Sequence, residues 1–286
     1  MTQLDAIERT CLLTAALRAG ESRREDRLYD DPYAGLLVGE AGPGLLAEIR
    51  SATFPEGGAP RTVPSTFDFN PIRTRFFDDW LQRAAADGSV SQIVLAPAGM
   101  DARAYRLAWP DHVRFFEIDR PAVLEVKDKL LAAERPATDR RPVPADLLAP
   151  GLEDALREAG YDPGLPSVWL FEGLLYYFSE AEVHGLLERV AALTAPGSRI
   201  AADLVNEVAL TAPGVRGLLE VFARWGCPWV FGTDEPEALF ERHGFTVEAV
   251  QPGEPSAHYG RWRDPVPPRS AEGAERVFLV HGGRSA

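Results

Sequence analysis

The chain is 286 residues long, 45% hydrophobic and 26% charged, enough to bury the core of one large α/β domain. Its formal net charge of −13 argues against nucleic acid or anionic membrane as partners, because a phosphate surface rewards clustered Lys and Arg. Cys11 and Cys227, the two cysteines, make neither a zinc pattern nor a disulfide framework, no basic-then-apolar leader opens the chain, and no apolar run reaches membrane-spanning length, so a cytoplasmic protein without a metal is expected.

In chain order, apolar residues at helical spacing over 4–19 predict an amphipathic helix carrying Arg18 near its end. Residues 51–66, rich in Gly, Pro, Ser and Thr, read as a loop, either a lid over a site or a passive connector. Helical spacing returns over 71–86, with Arg73 and Arg75 at its start. From Gln92 strands and helices alternate. Strands are expected at 92–96, 113–118, 140–145, 166–171 and 198–203, and helices at 103–107, 121–134, 151–158, 180–194, 214–224 and 234–243. Such alternation means a doubly wound, mostly parallel sheet. The strand-like runs Phe245–Gln251 and Arg276–His281 have no helix between them, which predicts a closing antiparallel hairpin at the sheet edge.

The stretch from Gln92 to Asp119 carries the first chemistry. An apolar β-branched run enters the small turn Pro97, Ala98, Gly99, and a second apolar strand ends in Asp119. In doubly wound sheets ligands sit outside the carboxyl ends of the strands, and an acid some twenty residues past the turn accepts hydrogen bonds from ribose hydroxyls. An adenosine cofactor fits that unit; an ordinary turn followed by a chance acid is the plainer alternative. A dinucleotide turn would have three glycines, whereas this one has a proline without an N–H and an acid, Asp101, where phosphate would lie. A cationic cofactor suits it better.

The ordered set IRTRFFDDWL (72–81), AGMDARAYRL (98–107), FFEIDRPAVLEVK (115–127), PADLL (144–148) and FEGLLYYF (171–178) resembles the leucine carboxyl methyltransferase family, and within it the bacterial branch that includes polyketide O-methyltransferases. The resemblance implies a class I methyltransferase fold: a Rossmann-like, seven-stranded sheet with an antiparallel C-terminal strand and an N-terminal helical extension. A single domain over 1–286 follows, with the helical extension and lid over 1–88 and the cofactor-binding sheet over 89–286.

S-adenosylmethionine is the implied cofactor. The resemblance implies that Arg73 grips the methionyl carboxylate, a role suited to a planar guanidinium. Ala98 and Gly99 would let the backbone approach, and Asp119 would take the ribose hydroxyls. Asp146 and the Leu147 N–H would read the adenine amino group and ring nitrogen, with a helix N-cap as the competing role for Asp146. Glu172, at the end of an apolar strand, needs a partner if buried, and Arg73 or the cofactor's amino group would supply it. Arg18 is a further candidate by loose alignment, with a solvated arginine as the plainer reading. Pro97 stands where the family turn has glycine. Asp101 and Arg103 also match the family motif, either as site residues or as an ion pair that fixes the turn.

Methyl transfer by in-line displacement needs alignment and dryness more than acid–base chemistry. A carboxylate acceptor is ionised at neutral pH and needs no base, whereas a phenol benefits from one. Of the five histidines only His258 falls in a region that could border the acceptor, and a surface-loop histidine is its plainer reading, so no base stands out; a carboxylate is favoured and a hydroxyl ranks second. No catalytic side chain stands out. Tyr177, Phe222, Trp225 and Trp229 are candidates to line an apolar acceptor pocket, with core packing as the commoner use. A cofactor-binding domain without methyl transfer, a carboxyl methyltransferase acting on a protein C-terminus, and a nicotinamide dehydrogenase, disfavoured by the missing glycines, are the other readings.

Overall fold

The computed structural model describes residues 5–54, 63–262 and 264–284. Four helices come first: α1 (Ala6–Ser22), α2 (Ala34–Leu37), α3 (Gly42–Thr53) and α4 (Thr66–Ala86). The alternating part follows as β1 (Gln92–Leu95), α5 (Arg103–Arg106), β2 (Arg114–Asp119), α6 (Pro121–Leu130), β3 (Asp139–Pro144), α7 (Leu152–Glu158), β4 (Ser167–Phe171), α8 (Glu180–Leu193) and β5 (Arg199–Val205). The chain closes with α9 (Arg216–Trp225), α10 (Pro236–Glu241), β6 (Thr246–Val250) and β7 (Val277–Gly283).

The strands form one seven-stranded sheet in the order β3-β2-β1-β4-β5-β7-β6. β1 to β5 are mutually parallel, and β7 runs antiparallel to both neighbours. The expected hairpin is therefore present, but its second strand inserts between β5 and β6 instead of forming the edge. Period-two side-chain alternation explains the layering. Ile93, Leu95, Phe115, Val168 and Leu170 face one core with α4, while Val94, Phe116, Trp169, Phe171 and Phe278 face the other with α7, α8 and α10. Pro142 and Pro144 lie in β3, an edge strand, where a missing N–H costs no ladder bond on the open side.

Two helical readings need correction. Residues 42–53 form a helix, α3, where no element was expected before residue 51; Pro stands in its first turn, where no N–H partner is lost. The expected 51–66 loop thus begins inside a helix, and its residues 55–62 lie outside the described residues. Helix α4 starts at Thr66 rather than Pro71, because Ser65 caps it by accepting the Asp68 N–H, and Pro71 sits inside the helix. Arg73 consequently occupies the third turn instead of the helix start.

The N-terminal helices pack over the sheet's carboxyl edge. Leu13 and Leu17 of α1, Leu45 and Ile49 of α3, and Leu218, Val221 and Phe222 of α9 share one buried cluster, each such side chain contributing roughly 1.5–3 kcal/mol relative to exposure. Where α3 meets α9 the backbones touch: a Cβ at Gly217 would stand 2.5 Å from the Ala52 carbonyl oxygen. Among the described residues no helix is long and apolar enough to cross a membrane.

Candidate active site

The strand order reverses between β1 and β4, and the crevice at such a switch point is where an open α/β sheet binds its ligand. Register brings the pieces together. Leu95 pairs with Glu117 on β2 and Leu170 on β4, so the turn after β1, Asp119 at the end of β2 and Glu172 just past β4 share one edge. A cavity of about 660 Å³ opens there, and Arg18, Arg73, Ala98, Gly99, Asp119, Asp146, Leu147 and Glu172 all line it.

Gly99 has φ +47, a left-handed conformation that costs a side-chain-bearing residue about 1–2 kcal/mol. It also lies under α1, since a Cβ there would meet Cys11 Sγ at 3.1 Å. Its N–H donates to Asp119 Oδ2 at 2.6 Å, and the Arg120 N–H donates to Oδ1 at 2.7 Å. Each carboxylate oxygen therefore keeps lone-pair capacity toward the cavity. Burial pushes the Asp119 carboxyl above its ordinary value, against the pull of those two N–H groups. Burial also raises the Cys11 thiol to about 12, which keeps it protonated and unreactive.

Asp146 is exposed, and its Oδ1 accepts the Leu148 N–H at 2.8 Å. The helix-cap reading fails: Gly151 caps α7. Asp146 instead holds a tight turn through Leu148, and both Asp146 and Leu147 line the cavity.

Glu172 is doubly paired. Its Oε1 lies 3.0 Å from Arg73 Nε and its Oε2 lies 2.7 Å from Arg103 Nη1. Arg73 Nη1 donates to Asp203 Oδ2 at 2.8 Å, while Asp203 Oδ1 accepts the Gly173 N–H at 2.6 Å. Phe69 lies against the Arg73 guanidinium, 5.3 Å from ring centroid to Cζ. Burial disfavours charge on Arg73, but Asp203 and Glu172 outweigh it and hold the group above its ordinary range. Burial raises the Asp203 carboxyl, opposed by Arg73. Nη1 is the nitrogen of Arg73 that donates, to Asp203; Nε lies 3.0 Å from Glu172 Oε1 without a hydrogen bond, and Nη2 carries none among the described residues.

The same ion pairs extend away from the cavity. Arg103 bridges Asp101 and Asp78 at 2.7 Å each, Arg106 joins Asp78 at 2.7 Å, and Arg18 pairs with Asp31 at 2.9 Å and donates to the Met100 carbonyl. Arg18 is thus buried, not solvated, and braces the turn after β1 from α1. Of the two readings open for Asp101 and Arg103, the ion pair is formed, and Asp101 also lines the cavity. Asp31, Asp78 and Asp203 were not marked in the sequence. Asp203 had the same signal as Glu172, an acid near the carboxyl end of an apolar strand, and Asp78 lies on the buried face of α4.

Beyond Arg73 the cavity becomes apolar. Tyr177, Phe222 and Trp229 line it, and Trp229 packs on Tyr176 and Phe222 with ring centroids 4.4 and 5.7 Å apart. Trp225 does not line it; its indole packs in the α1–α3–α9 cluster and donates to Glu48. His258 is exposed, accepts the Gly260 N–H and lies away from the cavity, which no histidine lines among the described residues. No group of three or more metal-ligating side chains occurs among those residues.

A seven-stranded sheet with an inserted antiparallel strand, an acid at the end of β2 and a one-glycine turn defines a class I methyltransferase. Comparison with known proteins agrees. A DUF574 family protein of Streptomyces avermitilis superposes with a TM-score of 0.61 at 15% identity, covering 91% of this chain and 97% of that one. The leucine carboxyl methyltransferase family model matches residues 11–191. A Saccharopolyspora erythraea protein named "Putative S-adenosyl-L-methionine-dependent methyltransferase" is 44% identical over 76% of this chain and 74% of its own length. A Streptomyces coelicolor protein of like name is 37% identical over 90% and 89%. The chain belongs to the leucine carboxyl methyltransferase family, and S-adenosylmethionine is its cofactor.

Proposed function

We propose that this S-adenosylmethionine-dependent methyltransferase is an O-methyltransferase whose acceptor is an ionised carboxylate on a small, largely apolar, polyketide-like molecule, with a hydroxyl as the second choice. The observation that carries this reading is the apolar chamber of Tyr177, Leu218, Phe222 and Trp229, continuous with the polar edge of the sheet in one cavity.

The residues at the sheet edge suit the cofactor. Asp119 has acceptor capacity for two ribose hydroxyls, Asp146 and the Leu147 N–H complement adenine, and the Arg73 Nη2 edge suits a carboxylate. Ala98 and Gly99 leave the approach free of bulk, and Arg18 acts indirectly by bracing Met100. When bound, the sulfonium supplies a methyl carbon already activated toward displacement. The protein's task is then to hold acceptor oxygen, carbon and sulfur in line and exclude water, which the apolar walls do. Glu172 and Asp203 are engaged by arginines, so neither is free to take a phenol's proton. A carboxylate needs no such base.

The test is incubation with labelled S-adenosylmethionine and a panel of small acids, phenols and peptides, with products read by mass and by mild alkaline treatment. A base-labile product from an apolar acid is expected. Only base-stable ethers, or methylation of peptide C-termini alone, would overturn the carboxylate reading.

A further inference from the structure

The apolar end of the cavity carries a hydroxyl that the proposed cofactor roles leave unused. Tyr177 lines the cavity and is half-buried. Asn70 Oδ1 and Trp229 Nε1 are sealed inside the protein and out of a ligand's reach, whereas the Tyr177 hydroxyl is not among the sealed atoms. Trp229 Nε1 acts on that hydroxyl, but an indole N–H only donates. No acceptor among the described residues takes the Tyr177 proton, so it is left for a ligand.

Its place indicates which group that proton meets. The Tyr177 ring stands edge-on to Tyr176 with centroids 4.8 Å apart, and the Tyr176 hydroxyl lies 3.5 Å from Arg73 Nη1 at the polar end. On its other side the ring is edge-on to Phe222 in the apolar wall, with centroids 6.3 Å apart. Tyr177 thus joins the two ends of the cavity. Burial pushes its phenol above the ordinary value, so at neutral pH it is a donor and not a base. The arginines that line the cavity are already paired, Arg18 with Asp31, Arg73 with Asp203 and Arg120 with Asp5. An anionic oxygen in the apolar chamber would therefore be held by a hydroxyl rather than by a cation, through a charge-assisted hydrogen bond.

Resting on the carboxylate reading above, we infer that Tyr177 holds the acceptor: its O–H donates to one carboxylate oxygen and leaves the other free to attack the methyl carbon. The new O–C bond forms as the C–S bond breaks, the electron pair of that bond goes to sulfur, and Tyr177 keeps its proton throughout.

Calorimetry on the full chain saturated with S-adenosylhomocysteine tests this with acids and methyl ketones of matched shape: benzoate against acetophenone, 2-naphthoate against 2-acetylnaphthalene, decanoate against 2-undecanone, together with any acid that the product screen above turns up. Tyr177→Phe keeps the ring and removes the O–H. It should weaken a bound acid by about 10- to 100-fold, a charge-assisted hydrogen bond being lost, and the matching ketone by at most about tenfold. Affinity for S-adenosylhomocysteine should stay within about twofold. Trp229→Ala, which removes apolar contact alone, should weaken acid and ketone by the same factor.

The inference is overturned if Tyr177→Phe leaves acid binding unchanged, weakens acid and ketone equally, or weakens S-adenosylhomocysteine instead. Methyl esters formed by that variant at the wild-type kcat/KM would remove the inference and leave the carboxylate reading standing. A wild type that binds none of the acids and forms only base-stable ethers would overturn both.

Discussion

At one end of the cavity Gly99, Asp119, Asp146 and Glu172 stand within a few residues of the carboxyl ends of β1 to β4. At the other, Leu218, Phe222 and Trp229 come from a helix and the loop after it. Strand register fixes the first end, because β-ladder hydrogen bonds leave each terminal residue one possible place. Side-chain packing fixes the second, which can change without disturbing the ladder. On the assignment proposed above, a fold divided in this way keeps its cofactor while its acceptor varies.

The largest expected effect comes from the residue that joins the two ends. Arg73→Ala would strand Asp203 and Glu172 as buried, under-compensated carboxylates, a loss of about 3–5 kcal/mol visible in chemical denaturation. Stability within 1 kcal/mol of the wild type would mean the ion network does not brace the fold.

Next comes the strand-fixed end. Asp119→Ala should weaken S-adenosylhomocysteine by about 100-fold, two charge-assisted hydrogen bonds being lost, with far-UV circular dichroism unchanged. Unaltered affinity in calorimetry would remove Asp119 from the site. Because its carboxyl is raised by burial, cofactor affinity should begin to fall on acidification before the ordinary carboxylate value of 3.8 is reached.

Asp101 titrates the other way. Burial opposes its charge, but Arg103 wins and holds the carboxyl down to about 2. A depressed value stabilises the folded state above the unfolded-state value and is lost as protons bind. The contribution of the turn after β1 should therefore be complete above about pH 4 and disappear between pH 4 and 2. Asp101→Asn should flatten that part of the acid-denaturation profile; an unchanged profile would exclude the pair as its origin.

The packing-fixed end should respond more mildly and only toward the acceptor. Trp229→Ala is expected to raise acceptor KM by about tenfold through lost apolar contact, with S-adenosylhomocysteine affinity held within twofold. An equal loss of cofactor affinity would erase the distinction between the ends. His258→Ala, outside the cavity, should change neither constant.

The two ends were also unequally legible in the sequence. Asp119, Asp146 and Glu172 follow short apolar runs and so announce themselves locally, as does the small turn at Gly99. Arg18 was misread because its partner Asp31 lies on a segment with no periodicity to place it. Asp78 and Asp203 escaped for the converse reason: each belongs to an element clearly visible in the sequence, but an acid on a buried face discloses its arginine only once the fold brings them together. Residues 66–70 were hidden by Pro71, which made the helix look as though it began five residues later than it does. At the apolar end Tyr177, Phe222 and Trp229 do line the cavity and Trp225 does not, because ring type does not say which side of a helix faces a cavity.

Gly217 bears on this division. It lines no part of the cavity, yet its backbone sits against the Ala52 carbonyl with no room for a methyl group, while Leu218 and Phe222 of the same helix form the cavity wall. The gauge of the chamber is thus set from behind the wall, by how closely two backbones meet. A methyl at that seam would shift the whole panel, making position 217 a remote adjuster of which molecules fit, independent of every residue that touches them.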